Sequence, residues 1–257
     1  MKTIVSAQNE QLKKVAALRD KKFRDRSGLM LVEGENIVKE LPEDCDVREV
    51  YIKASEAERY GYLPARFGKE GVLVDDRVFS KISDTVSPAG VIAVVGIPSA
   101  RPVGAPVVLL ADGIRDAGNL GTMIRSAKAM GVGDVIVADG VDPFCPKTVR
   151  SSLGAVLGVN VVVIEDYAAL DGLIDGYRVL ALDMGGTSVY GYCPEGPIVI
   201  AVGNEAHGLS QVVRRRADAV LAIPMRGAME SLNAAVSASI AMSVLTENVA
   251  KATNRLN

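Results

Sequence analysis

Tryptophan is absent from the 257 residues, aromatic side chains make up 4% of them, and there are one histidine and three cysteines. Each scarcity closes off a chemistry. With His207 alone no multi-histidine metal site can be built, and a Ser-His-Asp arrangement could centre only there, so His207 is read as incidental. Cys45, Cys145 and Cys193 are odd in number, widely separated and without a CxxC pair, which argues against a disulfide framework or a zinc cluster. No metal is expected. No apolar run reaches the roughly eighteen residues that a membrane helix needs, and the opening MKTIVSAQNEQLKK has no apolar core before its charges. The expectation is a cytoplasmic protein without a membrane partner. Neither GxGxxG nor GxxxxGK[ST] occurs, which disfavours a nucleotide-cofactor oxidoreductase or a P-loop enzyme.

What is present is a composition suited to a packed interior. With 49% hydrophobic and 23% charged residues, a chain of this length can bury about three quarters of its unfolded surface. The formal net charge is −2, so nucleic-acid binding is not advertised globally, but positive charge is segregated locally. Lys13, Lys14, Arg19, Lys21, Lys22, Arg24 and Arg26 are opposed in that stretch only by Asp20 and Asp25, and Arg214, Arg215 and Arg216 form a second cluster. Either could meet phosphates or simply be a solvated helix face.

PSARPVGAP, from Pro98 to Pro106, holds three prolines and a glycine and divides two patterns. The expected organisation is a small α/β domain over 1–98, a linker over 99–106 and a second domain over 107–257. In the first, short apolar runs from Val47, Gly71 and Gly90 alternate with helix-like stretches around 8–19, 34–41 and 55–62. In the second, six continuous apolar runs start at Val107, Asp134, Asn160, Arg178, Pro197 and Ala219. Continuous rather than alternating runs mark strands buried on both faces, and the long spacers suit helical crossovers, so a mostly parallel sheet follows.

Ligands gather beyond the carboxyl ends of parallel strands, which directs attention to the loops after Asp112, Met184, Gly203 and Met225. In DGIRDAGNLGTMIRSAKAMG, Asn119 can cap the helix that follows, and Arg125 lies one or two turns inside it. In IVIAVGNEAHGLS, an apolar strand ends at Gly203 and is followed by Glu205, a costly place for a carboxylate unless something uses it, or unless it opens a helix. In AIPMRGAMESLNAAVSASIAM, Ser231 or Asn233 starts a long helix, with Leu232, Val236, Ile240 and Val244 along one side, facing either the core or a second subunit.

These three segments, NLGTMIRSA, VGNEAHGLS and IPMRGAMESLNAAVSASIAM, in this order, resemble the signature motifs of the SpoU (TrmH) family of RNA 2′-O-ribose methyltransferases, within the SPOUT superfamily. The resemblance runs from about Val107 onward, and the region containing FRDRSGLMLVEGENIVKEL resembles the small α/β substrate-binding domain that often precedes it. It implies an α/β fold with a carboxyl-terminal trefoil knot, S-adenosyl-L-methionine as cofactor, and a homodimer with composite active sites. Carried onto these residues, Asn119, Arg125, Glu205, Ser231 and Asn233 would line the catalytic centre. Gly203, Ile223 and Leu232 would hold the cofactor by backbone, with Met225 nearby. Ala234 and Ala235 stand where the family more often has Val-Ser, a departure that touches helix packing rather than polar groups. The partner implied is RNA, ribosomal in preference to transfer RNA, selected by the first domain and the Lys13 to Arg26 segment. A catalytically silent RNA-binding protein on the same fold is disfavoured, because every polar motif residue is present.

Overall fold

The computed structural model describes residues 1–227 and 231–254, and the chain divides into two compact units, residues 1–99 with 144–157 and residues 100–143 with 158–257. In the first unit β1 (Lys2–Ile4), β2 (Leu29–Glu33), β3 (Val47–Lys53), β4 (Gly71–Val74) and β5 (Val91–Gly96) form a mixed sheet ordered β1-β4-β3-β5-β2. Helix Glu10–Ala17 starts where the Asn9 side chain accepts the N–H groups of Gln11 and Leu12, and it buries Leu12 and Val15, three apart on one face. These pack with Tyr51, Phe79 and Ile92 into the unit's core. The sequence pattern announced β3, β4 and β5 but not β1 or β2. One is three residues long; the other ends in Glu33, a carboxylate that reads as surface yet is buried. It is accommodated because the Ser83 and Thr85 hydroxyls and the Asp84 N–H donate to it. Helix Pro146–Ser151 lies against β2, so residues 144–157 belong structurally to this unit although they lie beyond the proline-rich divide.

The second unit contains the six expected strands, β6 (Val107–Asp112), β7 (Asp134–Ala138), β8 (Asn160–Ile164), β9 (Arg178–Ser188), β10 (Ile198–Gly203) and β11 (Ala219–Ala222), ordered β11-β9-β10-β6-β7-β8 with every pairing parallel. All of β6 and β7 is buried, which is why the runs are apolar throughout rather than alternating. The register pairs Gly203 with Asp112, so β10 and β6 end level. β9 continues past the apolar run because Gly186 has no side chain. A Cβ there would stand 2.5 Å from the Leu221 carbonyl carbon, and β11 occupies that space instead.

Two helices shape the carboxyl edge of this sheet. Helix Ala117–Ala129 is capped by Asp116, whose carboxylate accepts the Asn119 N–H at 2.8 Å. Asn119 is therefore not the cap; it sits in the first turn with its side chain free for other partners. Helix Ala234–Asn254 does begin where expected, since Asn233 Oδ1 accepts the N–H groups of Ala235 and Val236. It buries Ala234, Ala235, Ala238, Ala241, Met242 and Leu245, and the four alanines let it lie closely on helix Ala117–Ala129 and on β10. The stripe singled out from sequence faces the other way, with Leu232 37% and Val236 46% exposed and Ile240 and Val244 partly so. Among the described residues no helix is long and apolar enough to cross a membrane.

At the opposite edge Asp134, 5% exposed, opens β7 and accepts N–H groups from Gly104 and Ala105 and the Asn160 amide. Burial pushes its carboxyl upward, but these donors outweigh burial and hold it below the usual carboxylate range. Asp134→Ala would orphan all three donors and is expected to cost roughly 2–4 kcal/mol in denaturant unfolding. The ionised carboxylate contributes its full stabilisation above the unfolded-state pKa of about 4, and loses it as pH falls through the depressed folded value. The gap between variant and wild type should therefore be widest near neutrality and close in acid.

Candidate active site

A cleft of about 500 Å³ opens at the carboxyl ends of β9, β10 and β11, and its walls include Gly203, Glu205, Ile223, Met225, Ser231, Leu232 and Asn233. Seven residues singled out from sequence thus meet around one space. Asp183, Asn204, His207 and Arg214 also line it. Of these, Asp183 had only its position before a strand-end loop to mark it, and Arg214 was hidden in a basic triplet. His207 borders the cleft, so reading it as incidental understated its position. Residues 228–230 of the third motif lie outside the described residues.

Gly203 is the pivot. A Cβ on it would stand 2.2 Å from the Gly208 carbonyl carbon and 2.3 Å from the Leu209 nitrogen, because the chain turns back on itself immediately after β10. The turn is closed by paired main-chain bonds between Asn204 and Gly208, at 3.0 and 2.8 Å. The Asn204 side chain fills it, accepting the Ala206 and His207 N–H groups and donating to the Gly113 carbonyl at 3.0 Å. Glu205 stands on this turn and does not start a helix; the next one, Gln211–Arg216, begins after the Ser210 cap.

Glu205 accepts a hydrogen bond from the Asn119 amide, and Asn119 Oδ1 accepts one from Asn233 Nδ2 at 2.9 Å. Three segments far apart in sequence are joined by this chain of carboxamides. Its orientation is fixed at one end by the helix amides that Asn233 accepts, so Asn119 must present its donor to Glu205. The carboxylate is held in place by a neutral amide rather than by a cation. Arg125 is not part of this cluster. It lies six residues beyond Asn119, about one and two-thirds turns further on and so on another helix face. It is exposed, lines no part of the cleft and, among the described residues, has no hydrogen-bond or ion-pair partner.

The basic segment of the first unit divides into two groups. Lys14, Lys22 and Arg26 are exposed, Lys13 pairs with Glu10 at 2.8 Å, and Lys21 pairs with Asp25 at 3.0 Å. Arg19 donates to the carbonyls of Ser80, Lys81 and Ser83. Arg24 is 2% exposed and donates to the Leu18 and Arg19 carbonyls. Its place among surface cations was an error of the sequence pattern: the residue has been recruited to satisfy helix-end carbonyls, and a phosphate cannot reach it.

Two family models match the chain, the SpoU rRNA Methylase family over residues 106–243 and the MRM3-like substrate binding domain over residues 9–93. The chain is 33% identical over 246 residues to the 23S rRNA (guanosine(2553)-2'-O)-methyltransferase RlmP of Bacillus subtilis, covering 93% of this chain and 97% of that protein. It matches the AdoMet-bound rRNA methyltransferase from Sinorhizobium meliloti with a TM-score of 0.83 and 26% identity, over 96% of this chain and 98% of that one. The SpoU methyltransferase AviRb from Streptomyces viridochromogenes, in complex with AdoMet, matches with a TM-score of 0.82 and 25% identity, over 93% and 98%.

Gly203→Ala tests the pivot. The added methyl must displace backbone, so unfolding stability should fall by about 1–3 kcal/mol. Gly172→Ala, where a Cβ meets nothing within 4 Å, should change it by less than about 1 kcal/mol. Equal effects of the two in denaturant unfolding would show that the close approach carries no energy.

Proposed function

Because the chain belongs to the SpoU rRNA methylase family, we propose that it transfers a methyl group from S-adenosylmethionine to a ribose 2′-hydroxyl of RNA, ribosomal rather than transfer RNA, in the cytoplasm. The observation that carries this reading is the bonded set Asn119, Glu205 and Asn233 at the mouth of the cleft, assembled from three distant segments. The preference for ribosomal RNA rests on the first region's match to a substrate-binding domain and on the near full-length similarity to a ribosomal RNA enzyme.

The cleft suits the cofactor in size and chemistry. Its volume falls within the usual span for small-molecule sites. Val202, Leu221 and Leu232 offer an apolar bed for a heterocycle, while Asp183 and Glu205 offer acceptors for hydroxyls and for positive charge. Main-chain groups at Gly203, Ile223 and Leu232 would hold it, with Met225 beside them. The cofactor supplies an activated methyl with its own leaving group, so the protein's task is alignment and exclusion of water.

Arg125 is assigned to the RNA. A guanidinium stays protonated at working pH, which makes it a poor base and a good fixed cation. It would hold the phosphate next to the reacting ribose and stabilise the charge that grows on the 2′-oxygen, with phosphate or water taking the proton. Since Arg125 lies away from its own chain's cleft, the composite homodimer is the arrangement that gives it a role. The outward stripe of Leu232, Val236, Ile240 and Val244 is the surface proposed to meet the second copy. The trefoil knot belongs to the same proposal. Supporting it, helix Ala234–Asn254 packs back on β10 and on the turn Val189–Gly191 before it, and Asn248 Nδ2 bonds the Tyr192 carbonyl at 2.9 Å.

Arg125→Ala should lower kcat by about a hundredfold or more while leaving cofactor affinity near wild type, measured by methyl incorporation and by calorimetry. Arg125→Ala and Glu205→Ala chains unfolded and refolded together should recover about a quarter of wild-type activity if each site draws one residue from each copy. Recovery of none would remove the composite site, and full activity of Arg125→Ala alone would remove its assigned role.

Selection of RNA is assigned to the first unit, through Lys14, Lys22 and Arg26, with Lys13 and Lys21 able to leave their surface carboxylates at little cost. Replacing Lys14, Lys22 and Arg26 together with alanine should weaken RNA binding and reduce the slope of log affinity against log salt by about one for each phosphate that the protein no longer neutralises. An unchanged slope would move the RNA surface elsewhere.

A further inference from the structure

The Leu209–Ser210 peptide group lies between two side chains of opposite charge. Its N–H donates to Asp112 Oδ2 at 2.6 Å, and its carbonyl accepts from Arg214 Nε at 3.0 Å. Arg214 extends the connection, pairing through Nη1 with Asp183 Oδ2 at 2.8 Å across the cleft wall. The line Asp112, Leu209–Ser210, Arg214, Asp183 thus links the end of β6, the turn that follows β10 and the middle of β9, three strands that are neighbours in the sheet.

Asp112 is 1% exposed and is the last residue of β6. A carboxylate at such depth needs donors, and it has two: the Ser210 N–H and the Tyr167 hydroxyl. Burial, reinforced by the adjacent Asp112 carboxylate, pushes the Tyr167 phenol well above its ordinary value, so the hydroxyl keeps its proton and remains a donor. Asp112 does not line the cleft. Its effect reaches the cleft through the backbone it grips, because the Gly203–Ser210 turn that carries Glu205 is anchored at one end by the strand and at the other by this peptide.

We propose that Asp112 is a positioning residue for methyl transfer, setting the Glu205 turn and the cofactor wall by clamping the Leu209–Ser210 peptide against Arg214. The inference rests on the methyltransferase reading of the cleft. A neutral apolar residue at position 112 releases the Ser210 N–H, lets the turn relax by a fraction of an ångström and misplaces Glu205 and the wall together. Asparagine should restore the clamp. Its carbonyl still accepts the Ser210 N–H, and its amide can donate to the Tyr167 oxygen, which accepts as well as donates.

The test compares wild type, Asp112→Leu, Asp112→Asn, Arg214→Met and the Asp112→Leu, Arg214→Met double variant in the full-length chain. Each is measured for S-adenosylmethionine affinity by calorimetry, for kcat and KM on ribosomal RNA, and for amide exchange across residues 203–210. Asp112→Leu is expected to lose about tenfold to a hundredfold in kcat/KM and to exchange the Ser210 amide faster. Asp112→Asn should stay within about threefold of wild type in both. The Asp112→Leu, Arg214→Met double variant should lose little more than the worse single variant, since both act on one peptide. Asp112→Leu with wild-type kinetics and exchange overturns the proposal, as does Asp112→Asn impaired as severely as Asp112→Leu. If Asp112→Leu fails to fold, Arg214→Met, which removes the other half of the clamp, decides: faster Ser210 exchange supports the proposal and unchanged exchange overturns it. Wild type that does not bind S-adenosylmethionine would sink the functional reading instead, and the clamp would then be judged on exchange alone.

Discussion

Backbone lying directly on backbone at Gly203 is the constraint on which the second unit depends. β10 ends there level with β6, and the chain folds back so closely that the Gly208–Leu209 peptide fills the volume a side chain would take. Such an approach leaves no slack for the turn, which is closed by the Asn204–Gly208 main-chain pair and by the two N–H groups that the Asn204 side chain accepts, while the Asn204 amide ties it to Gly113. Glu205 stands where it does because of that closure rather than through any contact of its own with the sheet. The cleft is in this sense a consequence of how β10 terminates.

Around that turn the polar groups are divided by charge. Asp112 is buried, while Asp183 and Arg214 stand on the cleft wall; these three act on the backbone and on one another. The mouth holds Asn119 and Asn233, which are neutral and direct a single carboxylate. Carboxamides suit the second task because each has a donor and an acceptor in fixed geometry, so fixing one end of a chain of them fixes all. A lysine or arginine in place of Asn119 would hold Glu205 as firmly but would pair its charge, whereas the neutral amide does not. No buried side-chain polar atom among the described residues lacks a partner, Asp112 included.

Much of this was legible in the sequence wherever one signal had one cause. The six strands of the parallel sheet announce themselves because burial on both faces leaves no reason for polar residues, and motif order brought together Gly203, Glu205, Ile223, Met225, Ser231, Leu232 and Asn233. Reading failed where a residue type serves two purposes. Asn119 and Asp116 are both good caps, and only the geometry shows that the aspartate takes the helix end and frees the asparagine for Glu205. Arg24 and Arg26 are two apart in the same helix, yet one is buried under carbonyls and the other is in solvent. Glu33 and Asp112 look like surface acids until their donors, tens of residues away in sequence, are seen. Long-range hydrogen bonds have no local periodicity, so pattern reading cannot reach them.

The position of Arg125 follows from the same division of charge. Were its guanidinium folded into its own chain's cleft, it would meet the carboxylates of Glu205 and Asp183 that line it, and the opposite charges would quench each other before any substrate arrived. Keeping the cation on a separate face of helix Ala117–Ala129 avoids this, and in the folded chain the two groups do not pair with each other. Under the composite arrangement the two charges meet only across an interface whose apolar stripe begins at Leu232, the residue before the Asn233 cap. Assembly and site completion then depend on the same helix start. If the proposed composite homodimer holds, a single copy would keep the cleft and the oriented carboxylate but lack the cation assigned to RNA, so it would bind the methyl donor without transferring it.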